Sequence, residues 1–370
     1  MYISHLLAKV GGFKKNCNSI IWMLIYKLIW YKDTDSMKKI SQRDIAKTLG
    51  VNVSSVSRAL KGQKGVSEEL RQKIARMAAE NGYQANVRAS SERYNTTRLI
   101  GVVVPDVAFN HNSQIIKRIE SEAQKAGYLC IITDTDDRYD NEVEIVDKLL
   151  DLQVAGVIVS LSQETTDYSH LLRVKERNIP LVLFDRAADV NVTSVVINDA
   201  DSARQATHYL IDGGAQRIAF LGASNKLKQT ADRKHGYLEA LRERNIPIRK
   251  ELVRCHDASI NSGLTDTLAL LDLPEPPDAV IASHGLLALS AYQAITSRKL
   301  RIPDDVAIIG YMSDWVSNMP TPRISYVKQN PKEIGTKAFR LLLGQINGDD
   351  RVRRMVVKTR LEIRESTRNI

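Results

Sequence analysis

The sequence predicts a mixed α/β protein in which three short N-terminal helices precede a two-lobed, doubly wound α/β body. Three observations carry that expectation. Between Met37 and Gly82 apolar residues recur at three- and four-residue spacing, as they do along one face of a helix. From Leu99 onward short apolar runs alternate with helical patterns, the rhythm of parallel βαβ units. Between these regions, residues 84–98 (QANVRASSERYNTTR) hold too little apolar surface for a core and read as a hinge linker.

Residues 1–36 form an extension whose apolar run, IIWMLIYKLIWY at 20–31, is broken by Lys27. A spanning helix needs about 20 apolar residues, and no small-residue cleavage site follows the run. Either Met37 is the true start, or the extension is a disordered arm or a weak membrane-surface anchor. No membrane partner is expected.

Residues 37–83 read as three helices, built on Ile45, Ala46 and Leu49, then Val53, Val56 and Leu60, then Leu70, Ile74, Met77 and Ala78. Gly50 and the stretch Gly62–Gly65 supply the breaks. Ser67, followed by Glu68 and Glu69, is a good N-cap for a third helix that runs to Asn81 and stops at Gly82.

Residues 99–370 contain seven apolar runs: LIGVVV (99–104), LCIIT (129–133), GVIVS (156–160), LVLF (181–184), IAFLG (218–222), AVIA (279–282) and VAIIG (306–310). Helical patterns fall between or after them at Ser113–Ala126, Asn141–Leu152, Ala200–Asp212, Arg233–Arg244, Leu264–Leu271, Leu286–Arg298 and Lys332–Asn347. That is more than one mononucleotide-binding half holds, so two doubly wound lobes are expected, with a ligand cleft at the C-terminal ends of the strands.

The net charge of +10 is concentrated. Met37–Arg98 holds thirteen lysines and arginines against five carboxylates, whereas Leu99–Ile370 is close to neutral. A basic segment this small is an electrostatic footprint for phosphate. The three cysteines, Cys17, Cys130 and Cys255, have no paired spacing, so neither a disulfide framework nor a zinc cluster is expected. GxGxxG, GxxxxGK[ST], HExxH and GxSxG are all absent, which leaves no marker of phosphate cradling, zinc hydrolysis or acyl transfer. An enzyme is not expected, and neither is a cofactor.

The most specific segment is DIAKTLGVNVSSVSRAL, Asp44 to Leu60, and its physics suits a helix-turn-helix. Ala46 is small where two helices cross, Gly50 permits the turn, Val51 and Val56 bury the second helix, and Asn52 caps it. Val53, Ser54, Ser55, Ser57 and Arg58 are left facing outward, able to reach base edges and phosphates in double-stranded DNA.

From Ile40 to about Thr367 the chain resembles the LacI/GalR family of transcription repressors. The matching residues are Ile45-Ala46, Gly50-Val51 and Val56-Ser57-Arg58, then GVSEELRQKI, NGYQAN and IGVVVPD (100–106). AGVIV (155–159), FDR (184–186), RIAFLG (217–222), DRKHGYLEAL (232–241) and IPDDVAIIGY (302–311) continue the match. The resemblance implies a periplasmic-binding-protein-like sensor and a cytoplasmic homodimer on a roughly palindromic operator. It assigns base reading to Val53, Ser54 and Arg58, with Arg58 the candidate for bidentate contact to guanine. Asn52, Ser55, Ser57 and Asn86 fall on phosphate-contact positions, and Tyr83 and Arg88 complete the DNA-facing set.

The hinge departs from the family. Where most members carry Pro, Ala and a wedging Leu, this chain has Ala85, Ala89 and Glu92, and a carboxylate is disfavoured in the electronegative minor groove. Either Glu92 turns away and the DNA bends less, or a neighbour such as Tyr94 replaces the wedge.

The sensor is also divided. Arg233 matches the family's effector-binding arginine, and Asp106 lies on the cleft rim. The family's two aromatics after the first strand are His111 and Asn112 here, its Asn-Asp pair is His284-Gly285, and its acidic position after Gly310-Tyr311 is Met312. These changes remove acceptors for sugar hydroxyls and leave two histidines able to read an acid, so the effector class implied is a sugar, sugar acid or phosphorylated sugar. The reading is a repressor of a carbohydrate-type operon under effector control. An activator or effector-independent regulator is the alternative, and a solute-binding protein is opposed by the basic helical block. Because the chain ends without a leucine heptad, a tetramer on a terminal coiled coil is not expected.

Overall fold

The computed structural model describes residues 40–60, 64–81 and 97–368. The chain divides into two compact units, residues 1–89 and 90–370. The expected extension 1–36, Gly82 and almost all of the hinge lie outside the described residues.

In the first unit, α1 (Gln42–Leu49), α2 (Val53–Leu60) and α3 (Glu68–Glu80) enclose a small core of Ile45, Ala46, Val56, Ala59, Ile74 and Ala78. Ser41 caps α1 in a reciprocal box with Asp44. Gly50 ends it at φ +63, a left-handed conformation that costs an L side chain about 1–2 kcal/mol. Its N–H donates to the Ala46 carbonyl, turning the chain into α2. Asn52 closes the first turn of α2 through its main-chain carbonyl, which accepts from Ser55 and Val56. Ser67 caps α3 as its sequence predicts, and Arg71 donates to the Ala59 carbonyl at 3.1 Å, holding α3 against the end of α2.

The second unit holds two six-stranded sheets. The first lobe is built from β1 (Leu99–Val104), α4 (Asn110–Lys125), β2 (Leu129–Asp134), α5 (Tyr139–Asp151), β3 (Gly156–Val159), α6 (Ser169–Glu176), β4 (Leu181–Phe184) and β5 (Thr193–Ile197). The second lobe takes α7 (Asp199–Asp212), β6 (Ile218–Gly222), α8 (Lys228–Glu243), β7 (Val253–Cys255) and α9 (Ile260–Leu271). It continues with β8 (Ala279–Ala282), α10 (Gly285–Ser297), β9 (Ala307–Tyr311), α11 (Asp314–Ser317) and β10 (Ser325–Lys328). The chain then returns to the first lobe with α12 (Pro331–Ile346) and β11 (Arg354–Val357), and ends in the second with β12 (Arg360–Glu362).

The two sheets repeat one topology. The strand orders are β11-β5-β4-β3-β1-β2 and β12-β10-β9-β8-β6-β7, with every pair parallel except β10 with β12. Each lobe therefore has a switch point, between β1 and β3 and between β6 and β8, where adjacent loops diverge and leave a crevice at the C-terminal strand ends. β1, β3 and β8 carry only aliphatic residues and glycine, as suits parallel strands covered on both faces. Gly236 lets α8 approach α7 closely, because a methyl there would run into the Ala200 carbonyl.

Candidate nucleic-acid interface and effector cleft

On α2 the surface divides as its sequence predicts. Val56 and Ala59 are buried, while Asn52, Val53, Ser54 and Arg58 are exposed. Val53 is 41% exposed, an unusual position for an aliphatic side chain on a helix whose other valine is fully covered. Ser55 and Ser57 are half-buried on the flanks rather than fully outward. Tyr83, Asn86 and Arg88, with the hinge residues Glu92 and Tyr94, lie outside the described residues.

In the second unit a polar network fills the space where the strand ends of the two lobes meet. Arg233, on the second turn of α8, is only 1% exposed. Its Nε donates to Asp199 at 2.6 Å, one Nη to the Ser283 carbonyl and the other to Gln329 at 3.3 Å, while the guanidinium lies 3.8 Å from the Tyr311 ring centre. The planar fork suits this mixture of carboxylate, carbonyl and aromatic face.

From the first lobe, Asp185 follows β4 and faces His111 at 3.1 Å. Gln229 of the second lobe reaches the same carboxylate at 3.5 Å, across the cleft. Arg186 pairs with Asp137 at 2.6 Å. Asp136, Asp137 and Asp185 all have left-handed backbone, with φ of 52, 55 and 55. Such residues persist only where their surroundings fix them, and they gather at binding sites.

The electrostatics follow from burial and pairing. Burial alone would push the Asp185 carboxyl up, but His111, Arg233 and Arg186 together hold it at about 2. Burial pushes Asp199 up to about 6 against the pull of Arg233, with Asp185 and Asp232 adding repulsion. His284 is pushed well below the ordinary histidine range by burial and by the Arg233 and Arg186 charges.

Of the six effector residues expected from the sequence, His111, Arg233 and His284 join this network. Asp106 and Asn112 serve the loop instead: the Asp106 carboxylate accepts from Ala108 N–H at 2.7 Å, and its carbonyl accepts from the buried Asn112 amide at 2.8 Å. Met312 packs into the second lobe's core, which suits its thioether better than ligand reading does. Sequence reasoning missed Asp185, Arg186, Asp199, Gln229, Ser283, Tyr311 and Gln329. A signal existed for four of them, since Asp185, Arg186, Ser283 and Tyr311 each stand one or two residues beyond an apolar run of the sequence.

Residues 41–86 match the bacterial regulatory proteins of the lacI family, and residues 207–367 match the periplasmic binding protein-like domain. The probable HTH-type transcriptional repressor ExuR of Bacillus subtilis (strain 168) is 30% identical over 337 residues, covering 90% of this chain and 99% of its own. The chain belongs to the lacI family of bacterial regulatory proteins. The ribose operon repressor of Halalkalibacterium halodurans is 29% identical over 88% of this chain and 96% of its own.

Among solved structures, the transcriptional regulator CelR–cellobiose complex is 27% identical with a TM-score of 0.68, covering 89% of this chain and 100% of the other. The Lac repressor bound to ONPG is 26% identical with a TM-score of 0.78, over 89% and 100%. This lacI-family chain is thus a DNA-binding transcription regulator, and α2 is the second helix of its helix-turn-helix. Among the described residues no helix is long and apolar enough to cross a membrane.

Proposed function

We propose that the protein is a homodimeric repressor of a carbohydrate-type operon, and that a small polar effector bound between the sensor lobes sets its operator affinity. One observation carries this reading: charged and hydrogen-bonding groups from both lobes converge on one buried network at paired switch points, with Gln229 of one lobe on Asp185 of the other. An effector there makes contacts that depend on the angle between lobes, and only such differential affinity can shift a two-state equilibrium. Cellobiose in the CelR structure supports a sugar-like ligand class. Val53, Ser54 and Arg58 read bases in this account, and Asn52, Ser55 and Ser57 position the helix on phosphates.

A second reading is an effector-independent regulator. It is favoured by Arg233, whose fork is held by Asp199, Ser283 and Gln329 of its own chain. Genome-wide mapping of bound sites, followed by titration of operator affinity against a metabolite library, separates the two. Coupling to any cleft-binding compound supports effector control, and uniform absence of coupling supports the second reading.

A further inference from the structure

The end of the loop between α2 and α3 lies against the base-reading helix. Lys64, Gly65 and Val66 lead into α3, and three contacts fix their place. Val66 packs against the core of the first unit, Ser67 caps α3 by accepting from the Leu70 N–H at 3.4 Å, and Arg71 donates to the carbonyl of Ala59, the residue after Arg58. The loop is therefore held to the last turn of α2 from its C-terminal side.

Gly65 has a φ of +98, a backbone conformation that an L side chain adopts only under strain. It also meets the Arg58 guanidinium. A methyl group on Gly65 would stand 3.3 Å from Arg58 Nη1, closer than ordinary van der Waals contact. Arg58 is otherwise exposed, and among the described residues no carboxylate or carbonyl accepts from it. A bare backbone at position 65 thus limits where the fork can swing without occupying any of its N–H donors, whereas a carboxylate or amide there would compete with a base for them.

An arginine that swings freely must be ordered when it meets its base, and that ordering opposes binding. A side chain already confined by a neighbouring wall has less freedom to lose. The gain is realised where the fork makes its paired bonds to guanine O6 and N7, and not at bases that cannot accept twice.

We propose that Gly65 is a positioning residue for base reading: its bare backbone aims the Arg58 fork and sharpens discrimination at the base pair that Arg58 reads. The inference rests on the base-reading role given to Arg58 above and places a determinant of operator choice outside α2.

The test selects the full chain on a randomised double-stranded DNA library, then sets the selected site in competition with its single-base variants. Discrimination is a ratio of two affinities of one folded protein, so a loss through strain or stability cancels from it. Arg58→Ala is expected to flatten preference at one base pair. Gly65→Ala is expected to lower discrimination at that same pair by roughly 2- to 12-fold, the scale of ordering one long side chain, and to leave the other pairs unchanged. Once Arg58 is gone, adding Gly65→Ala should change nothing further at that pair. Thermal unfolding and retained binding to random DNA confirm the fold. Gly65→Asn, whose side chain tolerates positive φ, serves if Gly65→Ala folds poorly and should relax the same pair.

An even loss across all base pairs makes the loop a merely structural element and overturns the proposal. A change at a different pair does the same, as does a further loss at this pair in the double variant. Where Arg58→Ala flattens a pair that Gly65→Ala and Gly65→Asn leave intact, the base-reading role stands and only the part given to Gly65 falls. Where Arg58→Ala flattens no pair, both fall.

Discussion

Arg233 and Tyr311 are stacked across the base of the cleft, with the guanidinium carbon 3.8 Å from the ring centre and the Tyr311 hydroxyl 2.7 Å from Ser202 of α7. Through this pair β9, α8 and α7 are tied at the point where the chain passes from one lobe to the other. Removing the guanidinium leaves Asp199 buried opposite nothing. Arg233→Ala should therefore destabilise the sensor by about 3–5 kcal/mol, the usual consequence of breaking one side of a buried pair. Arg233→Lys should recover only part, because a point charge cannot serve three partners. Urea unfolding of the two variants measures the difference.

Asp185 makes a pH prediction whose sign is fixed by its environment. Its carboxyl is held at about 2 in the folded chain, below the unfolded value near 3.9. A depressed carboxyl contributes stability that is present above the unfolded value and lost as pH falls towards the folded one. Between about pH 4 and pH 2 the sensor should lose on the order of 2 kcal/mol through this group. Asp185→Asn should flatten that part of the curve, and unchanged slopes in denaturant titrations at the two pH values would refute the assignment.

On the DNA side, Arg58→Ala should lose about 1–3 kcal/mol on operator DNA and relax preference at one base pair, while Ser57→Ala should weaken all sequences more evenly. Competition binding against single-base operator variants distinguishes the two patterns. Equal losses on operator and random DNA for both substitutions would be incompatible with the roles given to these side chains.

Gly236 offers a packing test remote from any ligand. Its hydrogen faces the Ala200 carbonyl, and Gly236→Ala should force α8 off α7 at a cost of about 1–3 kcal/mol. Because Arg233 lies on the same helix, the variant should also weaken effector response. Thermal unfolding and effector titration of one preparation check both.

The architecture was legible where a segment announces itself by pattern alone. All seven apolar runs are strands, and the helices between them start and end within a few residues of their expected limits. β5 was missed because Thr193 and Ser194 mask a strand that is nevertheless wholly buried, and β7 because three residues carry too little pattern. β11 reads as a charged segment, since Arg354 is exposed on a sheet edge. α6 escaped because His170 occupies an interior position, sustained by its 2.8 Å contact with the buried Glu142, a pairing of residues 28 apart in sequence. The cleft was legible only in part for the same reason. A match of residue types identified Arg233, but the partners that define its role, Asp199, Ser283 and Gln329, follow β5, β8 and β10 and meet only through the topology.

Cys130 and Cys255 are free and half-buried, and burial pushes the Cys130 thiol up to about 12, far from reactivity at neutral pH.

The central claim is that a ligand between the lobes and DNA on α2 are energetically coupled, and the most direct measurement is operator affinity of the full chain with and without a saturating cleft-binding compound. The account predicts a change of roughly 5- to 150-fold in wild type, abolished in a folded Arg233→Lys variant that still binds operator. Operator affinity that stays constant while the compound occupies the cleft would contradict it.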